Sequence, residues 1–125
     1  MNKKIKLGKK GEKMAEKFLV EKGLEILEKN YRVKMGEIDL ICLEHSTIVF
    51  VEVKTRSNRE FGFPEEAINE RKKQKLKIVA DCYISDYRNK NNIKDFELDC
   101  RFDIISVYLA LKDENSYIKL IKNAF

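Results

Sequence analysis

Two short runs carry the residues best suited to chemistry. Glu37-Ile-Asp-Leu-Ile-Cys-Leu43 and Thr47-Ile-Val-Phe-Val-Glu-Val-Lys54 are rich in β-branched residues and are separated by a polar turn. That pattern predicts a β-hairpin. With His45-Ser46 as the turn, Glu44 faces Thr47, Asp39 faces Glu52 and Glu37 faces Lys54. Side chains alternate between the faces of a strand, so Asp39, Glu52 and Lys54 are expected on one side. Like charges placed directly opposite each other destabilise a hairpin. A divalent cation offsets that cost, because Mg²⁺ prefers hard carboxylate oxygens and keeps several waters. A metal there stabilises charge on a phosphodiester and lowers the pKa of water, and a nearby lysine can orient the water or stabilise the developing oxyanion. The competing reading is an exposed ion-pair ladder of little energetic value. Against it, Phe50 shares the face of Glu52 and Lys54 while Val49, Val51 and Val53 fill the other, so both faces are expected to be covered at least in part.

The elements that must position these residues follow from periodicity. Residues 6–22 read as a first helix, with Gly11, Met14, Ala15, Phe18 and Leu19 on one face and Gly23 as its stop. Residues 24–34 read as a strand or an irregular extended segment. Pro64 is suited to the first turn of a second helix that runs to about Ile84, with Ile68, Leu76, Val79, Ala80 and Tyr83 on its apolar face. A loop is expected over about residues 86–99, followed by closing strands over 102–109 and 117–121. The expected order is α-β-β-β-α-β-β, a mixed α/β sheet flanked by helices in a single domain over residues 1–125.

Composition sets the bounds. The chain has 125 residues, 43% hydrophobic and 38% charged, with a net charge of +5. One domain with a real core is expected, and the basic excess favours polyanionic partners. Cys42, Cys82 and Cys100 are widely spaced within apolar runs and form no CxxC pair, so reduced, buried thiols are expected rather than a zinc or redox site. The basic N-terminus is followed by no apolar stretch resembling a signal peptide, and no run is long enough to span a bilayer. A cytoplasmic protein without a membrane partner is the expectation.

The residues around the hairpin also resemble a known family. Gly36-Glu-Ile-Asp-Leu-Ile41 followed by Phe50-Val-Glu-Val-Lys-Thr-Arg56 is similar to the signature of the YraN-like bacterial proteins. Those proteins are related to the archaeal Holliday junction resolvases within the PD-(D/E)XK nuclease superfamily. The resemblance extends through Gly8, Gly11-Glu12, Ala15, Asn30-Tyr31-Arg32, Phe61-Gly62, Lys73-Gln-Lys-Leu76, Arg101-Phe-Asp103 and Asn123-Ala-Phe125. It implies an αβββαβ restriction-endonuclease-like core. It implies Asp39 and Glu52 as metal ligands and catalytic residues, Lys54 as the catalytic lysine, and Glu12 as a further acidic ligand from the first helix. Ile38 stands where the superfamily's nominal motif has proline. The resemblance implies Mg²⁺ as cofactor, with Mn²⁺ able to substitute. Its resolvase relatives suggest a homodimer by analogy.

The remaining candidates each have a plainer alternative. Glu37 is expected beside the metal ligands, touching the ion through water or pairing with Lys54. Arg56, Arg59 and the Phe61-Gly-Phe63 stretch are placed to grip phosphates or stack on bases, or else form an ordinary connection. Lys73, at the border of the second helix's apolar face, is the better phosphate contact, and the plainer alternative is that Arg71, Lys72, Lys73, Lys75 and Lys77 form a solvated face. Asp103 reads as a structural, salt-bridged acid. The expected function is a Mg²⁺-dependent DNA endonuclease, with branched or damaged DNA as candidate substrates. The alternative is a non-catalytic nucleic-acid-binding module on the same fold.

Overall fold

The computed structural model describes residues 3–57, 68–94, 98–109 and 116–125. Their elements run α1 (Lys3–Glu21), β1 (Glu25–Val33), β2 (Gly36–Glu44), β3 (Thr47–Arg56), α2 (Glu70–Asn91), β4 (Asp99–Tyr108) and β5 (Tyr117–Ile121). The strands form one five-stranded sheet in the order β1-β2-β3-β4-β5. All neighbours are antiparallel except β3 and β4, which are parallel and joined through α2. The architecture is mixed α/β, consistent with a nuclease-like core.

Each helix covers one face of the sheet. Ala15 and Leu19 of α1 pack with Leu40, Cys42, Val49, Val51, Ile105 and Val107. Leu76, Val79, Ala80 and Tyr83 of α2 pack with Ile41, Ile48 and Phe50. The alternation along β3 is the one expected from its residues, because a strand buried on both faces must send odd and even positions to different cores.

The hairpin register is the expected one over most of its length. Glu44 pairs with Thr47, Cys42 with Val49 and Leu40 with Val51. His45 adopts φ 55°, which a turn of two residues needs. The ladder stops at Leu40–Val51, however, so the expected backbone pairs Asp39–Glu52 and Glu37–Lys54 are absent from it. The polar end of β2 instead stays paired to β1, where Glu37 faces Arg32 and Ile38 faces Tyr31. The two strands therefore part where the acidic residues begin.

Other boundaries differ for local reasons. Residues 24–34 contain a regular strand with a register shift between Ile26 and Glu28. The second helix begins at Glu70 rather than near Pro64, which lies outside the described residues. Its cap is Asn69, whose side chain accepts the Lys72 N–H at 2.9 Å. It continues past Ile84 into the expected loop, because Tyr87 stacks on Tyr83 and Asn92 closes it in the left-handed conformation. β4 begins at Asp99 because it pairs with the whole of β3. All three cysteines are free, but only Cys42 is buried; Cys82 is half-buried and Cys100 exposed. Burial pushes the Cys42 thiol up to about 12.

Gly11 sets how closely α1 approaches the sheet. A Cβ at that position would run into the Thr55 side chain. The absence of one lets the helix rest on the end of β3, one residue before Glu12.

Candidate metal and phosphate site

Asp39 sits at the fork of the hairpin. Its Oδ2 accepts the Val53 N–H at 2.7 Å. A side chain thus closes the ladder after the backbone of β2 has turned away. This bond draws the Asp39 carboxyl against Glu52, and the two side chains share a hydrogen bond. Burial first, then the hydrogen bond and charge of Glu52, push Asp39 up to about 8. Two carboxyls in contact cannot both ionise cheaply, which is why the Asp39 carboxyl favours its neutral form.

Lys54 follows on the same strand face. Burial and the neighbouring Lys72 ammonium lower its pKa, while Glu52 opposes the shift. Lys72 comes from the first turn of α2 and forms an ion pair with Glu52 at 3.5 Å. Burial works against its charge, but Glu52, Lys54 and Asp39 together outweigh it and the Lys72 pKa is raised. Asp39, Glu52 and Lys72 line a shallow cavity of about 260 Å³ with Glu37 and Leu76.

Glu12 stands on the other side of Asp39. It lines a second hollow with Lys9, Lys13, Lys29 and Asp39. Burial raises its pKa, and the charges of Asp39 and Glu37 add to the rise. Asp39 is therefore the wall shared by two hollows, with Glu52 facing one and Glu12 the other. Among the described residues, no three His, Cys, Asp or Glu side chains form a ready-made metal cage.

The remaining expected residues are placed unevenly. Glu37 lines the cavity, but its carboxylate is bonded to Arg32 at 2.7 Å, not to Lys54. The charge of Arg56 acts on Lys54, and the Arg56 Nε is buried without a hydrogen-bond partner among the described residues. Arg59 and Phe61-Gly-Phe63 lie outside the described residues. Lys73 pairs with Glu70 at 3.4 Å and sits over the Phe125 ring. Its neighbour Lys72, which the sequence reading placed on a solvated face, is the lysine that reaches the acidic pair. The signal was available: Lys72 lies four residues before Leu76, about 40° from it around the helix. Asp103 is buried and structural, as expected, accepting Arg101 Nε and the Asn123 N–H.

The donor set fits a hard divalent cation. Asp39 and Glu52 offer carboxyl oxygens in contact, and their mutual repulsion is what a cation between them would relieve. Lys54 and Arg56 add cationic groups beside the carboxyls.

Comparison with known proteins places the chain among close relatives. The model of the Uncharacterised protein family UPF0102 matches residues 11–107, which include Glu12 and the whole hairpin. A UPF0102 protein of Caldicellulosiruptor saccharolyticus is 47% identical over 125 residues, covering all of both chains. One from Clostridioides difficile is 48% identical over the same full lengths. One from Caldanaerobacter subterraneus subsp. tengcongensis is 50% identical over 109 residues, covering 87% of this chain and 84% of the relative.

Proposed function

The chain belongs to the UPF0102 family, and for this member we propose a metal-dependent endonuclease that hydrolyses phosphodiester bonds in DNA. The observation that carries the reading is the Asp39–Glu52 carboxyl pair, held in contact at a strand fork with Lys54 beside it. Structural acids are normally paired with cations or donors, so a contact of two carboxyls calls for an outside ligand. Held by Asp39 and Glu52, a divalent cation such as Mg²⁺ supplies charge neutralisation at the phosphate and makes water more acidic.

The chain's own groups supply the rest. Lys54 Nζ releases its proton more readily than an ordinary lysine, so it is suited to hold or pass the proton of an attacking water. The Arg56 guanidinium, with a buried Nε lacking a partner among the described residues, is suited to a phosphate oxygen. Val53 N–H fixes the Asp39 carboxyl so that it need not reorganise during the reaction. No helix among the described residues is long and apolar enough to cross a membrane. The three free thiols fit a reducing cytoplasm, where we place the protein.

The test is cleavage of linear, nicked, flapped and four-way DNA with and without Mn²⁺, for the native protein, Lys54→Ala and Asp39→Asn. Metal-dependent cleavage lost in both variants is expected. Full cleavage by Asp39→Asn overturns the assignment. Salt-dependent binding of DNA with no cleavage of any substrate would instead favour a non-catalytic binding module on the same fold.

A further inference from the structure

The acidic pair already has a cation of its own. Lys72 places its ammonium 3.5 Å from Glu52 Oε2, and its charge also acts on Asp39. The Glu52 side chain is 11% exposed, whereas that of Lys72 is 40% exposed. The carboxylate is thus fixed inside the site, and the ammonium reaches it on a flexible stem open to solvent. Lys72 also lies against Lys54, so one carboxylate serves two like charges. That crowding is tolerable only while Glu52 has no other cation. A divalent ion on the Asp39 and Glu52 oxygens would meet two ammonium groups at close range, and Lys72, with a side chain 40% exposed, has room to swing aside.

We propose that Lys72 is the built-in counter-cation of the Asp39–Glu52 pair, and that it competes with a divalent ion for Glu52 and moves toward solvent when the ion binds. The proposal rests on reading the carboxyl pair as a metal site. It gives the site a regulatory property: metal affinity is held down by the chain itself. The ammonium is then freed for a phosphate only in the loaded state. Binding at one place and release at the other are two sides of one coupling free energy.

The test is calorimetric titration of Mn²⁺ into the native protein, Lys72→Met, Lys72→Arg and Lys77→Met at one pH, with thermal melts to show that each is folded. Lys77 is exposed on the same helix, and among the described residues no ion pair joins it to a carboxylate of the site. Lys72→Met should bind Mn²⁺ about tenfold more tightly than the native protein, a coupling of ordinary size. Lys72→Arg and Lys77→Met should stay near the native value. Equal or weaker binding by Lys72→Met overturns the proposal. So does an equal gain in Lys77→Met, which would trace the effect to the summed field of a basic helix. If neither the native protein nor Lys72→Met binds Mn²⁺, the metal-site reading falls together with this one. Affinity that is unchanged by the substitution sinks the counter-cation role alone.

Discussion

Asp103 on β4 and Asp39 on β2 are both carboxyls drawn out of water, yet their neighbours have opposite character. Asp103 has a side chain with no exposed surface, and it accepts Arg101 Nε at 3.1 and 3.2 Å and the Asn123 N–H at 3.0 Å. Arg101 in turn donates to Glu44 at 2.8 Å. Every acid in that cluster faces a donor, and the cluster ties the hairpin end to β4 and to the C-terminal turn. Asp39 has one donor, Val53 N–H, and beyond it another carboxyl. In the first arrangement both carboxylates are matched by a guanidinium, although Arg101 Nη2 is itself buried without a partner among the described residues. The second relies on Lys72, which pairs with Glu52 from a solvent-open stem, and still sets two carboxyls against each other. Burial of an acid therefore says little by itself about function, and the sign of what surrounds it says a great deal.

The comparison is broken most directly by exchanging each acid for its neutral counterpart. Asp39→Asn should reduce metal-dependent DNA cleavage by at least about 100-fold, the scale of losing a group that stabilises charge in a transition state. Its melting temperature at neutral pH should hold or rise, because the native carboxyl already favours its neutral form and an amide oxygen can still accept the Val53 N–H. Asp103→Ala should do the reverse in kind. It leaves Arg101 Nε and the Asn123 N–H without their acceptor while Glu44 keeps Arg101 Nη1, a loss of about 3–5 kcal/mol for a broken buried pair, readable in a urea unfolding curve. Equal destabilisation by both substitutions would erase the distinction between the two acids.

The pH dependence separates them further. Asp39 titrates near 3.8 in an unfolded chain and about 8 in the fold. Across that window the folded protein holds a proton that the unfolded chain has released. The Asp39 contribution to stability is thus present in full at low pH and is lost as pH rises toward 8. Thermal melts in chelator should show this decline, and Asp39→Asn should remove it. Saturating Mg²⁺ should also flatten it, by taking the place of the proton. A decline that persists unchanged in Asp39→Asn would show that another group is responsible.

Much of this site was legible in the residues, and the failures are instructive. The hairpin register could be read because both faces of β3 are buried, so a slip of one residue would exchange two apolar cores. The α-β-β-β-α-β-β order could be read from periodicity. The fork could not. Whether β2 at Asp39 stays with β3 or follows β1 depends on Arg32 and Tyr31 across the sheet, and no local pattern reports that choice. Lys72 was missed for a different reason: charge density on α2 was read as a solvated face, although its phase relative to Leu76 points it at the sheet. Pro64 drew the expected helix start away from Asn69, where an amide side chain supplies the cap.

The approach of α1 offers a sharper and smaller test of how the site is assembled. Gly11 is buried against Thr55, and a methyl group there must displace either the helix or the strand end. Gly11→Ala should cost about 1–3 kcal/mol, the usual range for overpacking, despite the better helix propensity of alanine. Because Glu12 is the next residue, metal affinity should fall with it if Glu12 supports the ion. Gly11→Ala paired with Thr55→Ala, which removes the Thr55 Oγ1 nearest the added Cβ together with the methyl group, should recover part of the stability. No recovery would mean that the contact, rather than being relieved by space at Thr55, is fixed by the backbone.

The smallest effect is expected at Glu37, and it separates position near a site from participation in it. Glu37 lines the cavity, and its charge reaches Glu12. Its carboxylate is nevertheless engaged by Arg32 at 2.7 Å, with side-chain exposures of 77% for Arg32 and 49% for Glu37. An ion pair that open to solvent contributes about 0–1 kcal/mol, so Glu37→Gln should leave the melting temperature nearly unchanged. A supporting role in holding the ion predicts a loss of metal affinity of about tenfold from the same substitution. An unchanged affinity would assign Glu37 to the β1–β2 pairing, where Arg32 is its register partner. In that case the working acids would reduce to those that the fork itself brings together, Asp39 and Glu52, with Glu12 across the shared wall.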